Sequence, residues 1–129
     1  MKYVILGGVA AGTKAAAKLK RLDRLAEVLI FTKSADISYA GCGLPYYIGG
    51  DIASREELIV NSPENYAGLT GAKVQIGCEA IGVECERKEV TIRRTDGSVF
   101  AETYDKLIIA TGAAPFVPPV DGVGLAGAF

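Results

Sequence analysis

A fully apolar run that ends in a glycine-rich turn and opens a helix admits few folds. Tyr3-Val-Ile-Leu6 is such a run, and Gly7-Gly8-Val9-Ala10-Ala11-Gly12 follows it at once. Apolar residues without alternation mark a strand buried on both faces, as at the centre of a parallel sheet. From Thr13 to about Arg24 the period becomes helical, with Gly12, Ala15, Ala16, Leu19 and Leu22 on one face. Glu27-Val-Leu-Ile-Phe31 is a second buried run. Strand, helix and strand in this order make a βαβ unit, whose crossover is right-handed.

The turn also carries chemistry. Backbone N–H groups at a helix start, added to the helix dipole, favour a pyrophosphate. Against the pattern G-x-G-x-x-G, Gly7 and Gly12 match, and Val9 replaces the glycine that lets backbone approach the pyrophosphate. The match is partial, but its context between strand and helix is the one the pattern requires, and the turn reads as a nucleotide site. The pattern also expects an acid about 20 positions on, at the end of the second strand, to hold the adenosine ribose. That count from Gly12 reaches Thr32. A hydroxyl still bonds a ribose hydroxyl, without the charge-assisted gain of a carboxylate. Asp36 falls too far into the loop for this role. Lys14, Lys18 and Arg21 recur at i, i+4 and i+7, opposite the alanines. Spacing alone favours a solvated helix face, and a phosphate-binding stripe near the mouth of the site is the alternative.

The next constraining stretch is Ser38-Tyr39-Ala40-Gly41-Cys42-Gly43-Leu44-Pro45-Tyr46-Tyr47. Gly41 and Gly43 leave little bulk around the thiol, so a flat cofactor or a second sulfur can approach. Pro45 suits the first turn of a helix and Gly49-Gly50 can end it, so residues 43–48 read as a short helix. Cys42 then sits at the positive end of that helix, where thiolate is favoured. A buried cysteine in a glycine-rich turn is the competing reading.

Ser62-Pro63-Glu64-Asn65 is a helix-start signature, with Ser62 as cap and a helix to about Leu69. Lys73-Val-Gln-Ile76 reads as a strand. Glu79 to Glu84, Glu89 to Arg94 and Ser98 to Tyr104, parted by Glu86-Arg-Lys88 and Thr95-Asp-Gly97, form an antiparallel meander with one solvated face. Lys106-Leu-Ile-Ile-Ala110 is another buried strand, ending in Thr111-Gly112-Ala-Ala-Pro115. Ligands sit at the carboxyl ends of such strands, so this turn lies close to whatever the first glycine turn holds. The expected fold is α/β: a doubly wound parallel sheet with the meander as its crossover. Residues 2–6, 27–31 and 106–110 are expected as central neighbours. From Phe116 to Phe129 the chain is rich in Pro and Gly, without periodicity, and reads as a linker.

At 129 residues, half of them apolar and 16 of them glycine, the chain has one domain's worth of core. A net charge of −1 gives no electrostatic case for nucleic acid. No apolar run approaches the ~20 residues that span a bilayer, and Met1-Lys2 leads straight into a strand rather than a signal peptide. No membrane partner and a cytoplasmic location are expected. Three cysteines without C-x-x-C fit a reducing compartment. Cys78 and Cys85 lack a helix start or a clear basic neighbourhood and are read as structural. With no histidine, a zinc site is not expected.

The strand with Gly-Gly-Val-Ala-Ala-Gly, the Ser-Tyr-Ala-Gly-Cys-Gly-Leu-Pro-Tyr stretch, the meander, and Tyr104-Asp-Lys-Leu-Ile-Ile-Ala-Thr-Gly112 with Pro115 behind it form a set. Together they resemble the amino-terminal flavin-binding portion of the single-cysteine pyridine nucleotide–disulfide oxidoreductases. That group contains coenzyme A-disulfide reductases and NADH oxidases and peroxidases. The resemblance implies a Rossmann-like FAD-binding domain whose amino-terminal segment is residues 1–112. It implies that 113–129 is a linker toward a nicotinamide-binding domain, and that the full-length enzyme is a homodimer.

By the same resemblance, FAD lies along Gly7, Gly8, Val9, Ala10, Ala11 and Gly12 and against Thr32 and Lys33. Backbone near Ala80 would meet the adenine, with Ala110, Thr111 and Gly112 beside the cofactor. Cys42 would face the isoalloxazine as the redox-active thiol, and Lys14, Lys18, Arg21, Ser38 and Gly41 would line a coenzyme A channel. The chain departs from the group at three points. Thr32 replaces the usual acid, Ala10 and Ala11 lie where oxidases and peroxidases carry a histidine, and Tyr47 stands where two-cysteine reductases place their second cysteine. The expected activity is NAD(P)H-dependent reduction of a small disulfide, such as coenzyme A disulfide, a persulfide or a polysulfide, through Cys42. The alternatives are an NADH oxidase that cycles through a Cys42 sulfenic acid, and a nucleotide-binding module that is inactive by itself.

Overall fold

The computed structural model describes residues 1–114 and 116–126. In chain order its elements are β1 (Lys2–Leu6), α1 (Ala10–Leu22), β2 (Glu27–Phe31), α2 (Leu44–Gly49), α3 (Pro63–Thr70) and β3 (Lys73–Gln75). The meander follows as β4 (Cys78–Glu84), β5 (Glu89–Arg94) and β6 (Val99–Thr103), and β7 (Lys106–Ile109) closes the series. Single turns of 3-10 helix lie at Gly41–Gly43 and Arg55–Leu58.

The four parallel strands stand in the order β3-β2-β1-β7. Lys2 pairs with Glu27 through to Leu6 with Phe31, while Tyr3 pairs with Lys106 through to Leu6 with Ile109. Pleating sends alternate side chains of these strands to opposite faces. Ile5, Val28 and Ile30 pack under the helices with Ala16, Ala26, Ile37 and Tyr66. Val4, Leu6, Leu29 and Phe31 pack under the meander with Cys78, Val90 and Ile92. The expected α/β fold with the meander as crossover is present, in three layers: helices, parallel sheet, antiparallel sheet. Phe31 joins the last two, its ring 6.0 Å from that of Phe100 and tilted by 58°.

Several details differ from expectation. α1 begins at Ala10, so Ala10, Ala11 and Gly12 form its first turn rather than the loop before it. Leu22 is 71% exposed instead of belonging to the buried face. The helix ends there: Asp23 N–H donates to Leu19 O, and Lys20 Nζ reaches the carbonyls of Arg24 and Ala26 at 2.7 and 2.9 Å. β7 is not a buried strand, for Ile109 is 65% exposed. It neighbours β1 as expected but, among the described residues, forms the outer edge of the sheet, with a paired strand on one side alone.

α3 starts where the sequence marks it. Ser62 Oγ accepts the Asn65 N–H at 3.1 Å, and Gly71, in the left-handed region at φ +76°, closes the helix. Residues 116–126 contain no helix or strand, with turns only from Asp121 onward, and Phe116 and Leu125 are exposed. Pro115 and residues 127–129 of the expected linker lie outside the described residues. Among the described residues no helix is long and apolar enough to cross a membrane.

Candidate functional site

β1, β2 and β7 end together, and the residues just past them wall a crevice of about 720 Å³. Gly7 follows β1 and is fixed from both sides. Its N–H donates to Phe31 O at 2.8 Å, and the N–H of Ala110 donates to Leu6 O at 2.8 Å. Gly7 adopts φ +111°, and a Cβ on it would lie 2.1 Å from the Ala110 oxygen. Gly12 closes the turn from the helix side, since a Cβ there would lie 1.9 Å from the Gly7 oxygen. These two positions admit glycine alone. Val9, just before α1, gives no side-chain cap, so the first amides of the helix are left for an anion. A turn with no room for a Cβ at Gly7 and Gly12, beside uncapped amides, fits the pyrophosphate of a flavin dinucleotide, although Val9 stands at the middle glycine's position.

Gly7, Gly8, Val9, Thr32 and Lys33 line this crevice, and so do Ala80, Ala110, Thr111 and Gly112. Nine residues from four separate stretches of sequence are thus brought together. Thr32 is nearly buried, at 6% exposure, and carries no charge. Its N–H donates to Gln75 O at 3.0 Å and its carbonyl accepts from Cys78 N–H at 2.8 Å, so the β3–β4 connection crosses the end of β2. Asp36 pairs with Arg55 and does not line the crevice.

Glu79 was not singled out from sequence, yet it lines the crevice. Its carboxylate bonds Lys33 Nζ at 3.0 Å and Arg93 at 2.6 Å. Arg93 first, then Lys33, holds it below the ordinary value of 4.5, so it is ionised at neutral pH. Its place in a meander strand reads as solvated surface, and only the path of the β3–β4 connection brings it to the site.

A second cavity, of about 570 Å³, opens beside the first, and Val9 lines both. Cys42, Lys14, Ser38 and Gly41 line it, with Tyr39 and Asn61. Cys42 is exposed, which removes the buried-cysteine reading. It lies in the Gly41–Gly43 turn that runs into α2, one residue later than the helix expected over 43–48, and Gly50 ends α2 at φ +87°. Ser38 holds the left-handed φ of +52°, uncommon for a residue with a side chain. It is pinned there: its N–H donates to Gly8 O at 2.9 Å, and its carbonyl accepts from Val60 N–H at 3.1 Å. Asn61 Nδ2 donates to its Oγ at 3.4 Å. The wall behind is Tyr66, whose hydroxyl donates to the Thr13 carbonyl and whose pKa is raised by burial.

The remaining expected residues lie apart. Ala10 lines the thiol cavity rather than the crevice, and Ala11 and Gly12 line neither. Lys18 is exposed on α1 and lines neither. Arg21 lines a third groove, with Lys20, Arg24 and Gly71, which meets the thiol cavity at Ala17. Cys78 is buried in the core, whereas Cys85 is exposed in the β4–β5 turn and fills no core position.

Over its whole length the chain is 33% identical to an NADH oxidase of Methanocaldococcus jannaschii, across 29% of that protein. It is 38% identical over 114 residues to a coenzyme A disulfide reductase of Staphylococcus aureus, covering 88% of this chain and 26% of that one. The structure of an NAD-dependent persulfide reductase from A. fulgidus superposes on 96% of the chain with a TM-score of 0.89 at 35% identity, across 24% of its own length. The chain thus spans about a quarter of the length of these relatives. The family described as pyridine nucleotide-disulphide oxidoreductase matches residues 1–129, and the chain, with its glycine cradle and exposed cysteine, belongs to that family.

Proposed function

We propose that the protein reduces a small disulfide or persulfide with NAD(P)H, holding FAD in the crevice and exchanging sulfur at Cys42. One observation carries this reading: an exposed thiol in a glycine turn lines a cavity that shares Val9 with the nucleotide crevice. When bound, FAD supplies two-electron transfer from NAD(P)H. Cys42, as thiolate, attacks one sulfur of the substrate disulfide; one thiol leaves, and Cys42 keeps the other as a mixed disulfide. Two electrons and solvent protons then free the second thiol and restore the Cys42 thiolate. In sum, one disulfide, NAD(P)H and a proton give two thiols and NAD(P)⁺.

The cavity suits a long thiol that carries phosphates, as coenzyme A does. From Cys42 it runs past Lys14 to Ala17, where the groove lined by Arg21 begins, with Lys18 exposed on the same helix. Ser38 and Gly41 flank the thiol end. Residues 1–112 act as the first segment of the FAD domain, and residues 113 onward lead toward a nicotinamide-binding domain in a homodimeric enzyme. A second reading draws on the match, over all of this chain and 29% of the relative, to an NADH oxidase. There Cys42 would cycle as a sulfenic acid, though Ala10 and Ala11 supply no proton-transferring side chain at the helix start.

The test is Cys42→Ser in the full-length protein. Thiol release from coenzyme A disulfide falls to background, while NAD(P)H still bleaches the bound flavin, because a hydroxyl does not exchange with a disulfide. Disulfide reduction at the wild-type rate by Cys42→Ser would refute the proposal. Oxygen consumption that depends on Cys42, without disulfide reduction by the wild type, selects the oxidase reading.

A further inference from the structure

The rim of the nucleotide crevice carries an acidic residue, Glu79, at a place where the glycine-turn pattern does not look for one. That pattern assigns the ribose-holding acid to the end of the second strand, and Thr32 stands there. The β3–β4 connection is bonded to both the N–H and the carbonyl of Thr32, through Gln75 and Cys78. Glu79 is the next residue, so backbone bonds hold it beside position 32. Glu79 is the only acidic residue among the described residues that line the crevice, and with Lys33 and Arg93 it also lines the groove next to it. Alternation along β4 turns it away from the core: Cys78 is buried there, and the Glu79 side chain remains 33% exposed.

The carboxylate is held in place and leaves acceptor capacity free. Arg93, directly opposite on β5, bonds Oε2 at 2.6 Å, and Lys33 bonds Oε1 at 3.0 Å. An ionised carboxylate has about four acceptor positions, so each oxygen retains one after these two bonds. A vicinal diol presents two O–H donors side by side, and a carboxylate is the acceptor that such a pair bonds most strongly.

We infer that Glu79 is the acid that receives the hydroxyls of the adenosine ribose, doing from β4 what a residue at position 32 would do from β2. The inference rests on the FAD reading above. Arg93 and Lys33 hold the carboxylate in this place, and Lys33 itself lines the crevice.

The experiment is a fluorescence titration of full-length apoprotein with FAD and with its 2′-deoxyadenosine analogue. Glu79→Gln keeps the size of the side chain and removes its charge. FAD affinity falls roughly 10- to 100-fold, the range for one hydrogen bond to a charged group. The deoxy analogue, which has already lost one of the two donors, falls by a clearly smaller factor. Wild-type affinity for FAD in Glu79→Gln overturns the inference. An equal loss for both flavins overturns it too, since Glu79 would then act through the fold. If the wild-type protein binds neither flavin, the FAD reading itself fails, and the inference with it; a loss pattern altered only in the variant separates the two.

Discussion

A methyl group at Gly12 would lie 1.9 Å from the Gly7 carbonyl, and no rotamer relieves a contact between backbone and Cβ. Gly12→Ala must therefore push α1 away from the glycine turn and misplace the amides that meet a pyrophosphate. Flavin affinity of the full-length protein should fall at least tenfold in the same titration. Gly68, inside α3, has nothing within 4 Å of where its Cβ would be. Gly68→Ala is the matched control: binding unchanged, and stability raised by about 0.5–1 kcal/mol from helix propensity. Unchanged flavin affinity in Gly12→Ala would refute the placement of the pyrophosphate. The glycines were legible in sequence because a strand–turn–helix leaves few residues able to fill those positions. Glu79 was not, because alternation in a meander cannot tell a solvated face from one that a crossing loop brings to a crevice.

Between elements, the tie to test joins α1 to α3. The Tyr66 hydroxyl donates to the Thr13 carbonyl from a side chain that is 5% exposed. Tyr66→Phe keeps the ring and removes the bond, for a loss of about 0.5–1.5 kcal/mol in urea denaturation. A larger loss would mean that the hydroxyl also orders the wall of the thiol cavity, and no loss would mean that the contact contributes nothing. Element boundaries were legible only where the chain carries a local marker. Ser62 caps α3 and that helix starts where expected, whereas Val9 caps nothing and alanines at 10 and 11 extend α1 without a signal. Apolar composition alone made β7 look buried. Its exposure follows from its place at the sheet edge, which no local pattern reveals.

For the whole molecule, that edge sets the behaviour of the 129-residue chain on its own. Among the described residues no strand pairs with the outer side of β7, Ile109 is 65% exposed, and Tyr46 and Ile48 of α2 are 59% and 82% exposed. Exposed edges with apolar side chains seek a further strand. The isolated chain should self-associate at micromolar concentration in sedimentation velocity, and Ile109→Lys should shift it toward the monomer. A monodisperse wild-type chain would show that the edge is already guarded.

The pairing of β1 with β7 also orders events in time. Lys2 meets Asp105 across 103 positions of the chain, whereas β1 and β2 are joined by a single helical crossover. Loop-closure entropy makes such a distant pairing slow to form, while local pairings form early. Gly7 gains its neighbour Ala110 only when this pairing forms. The crevice should therefore close only after β1 and β2 have paired, and flavin binding during refolding should report the long-range pairing rather than the local one.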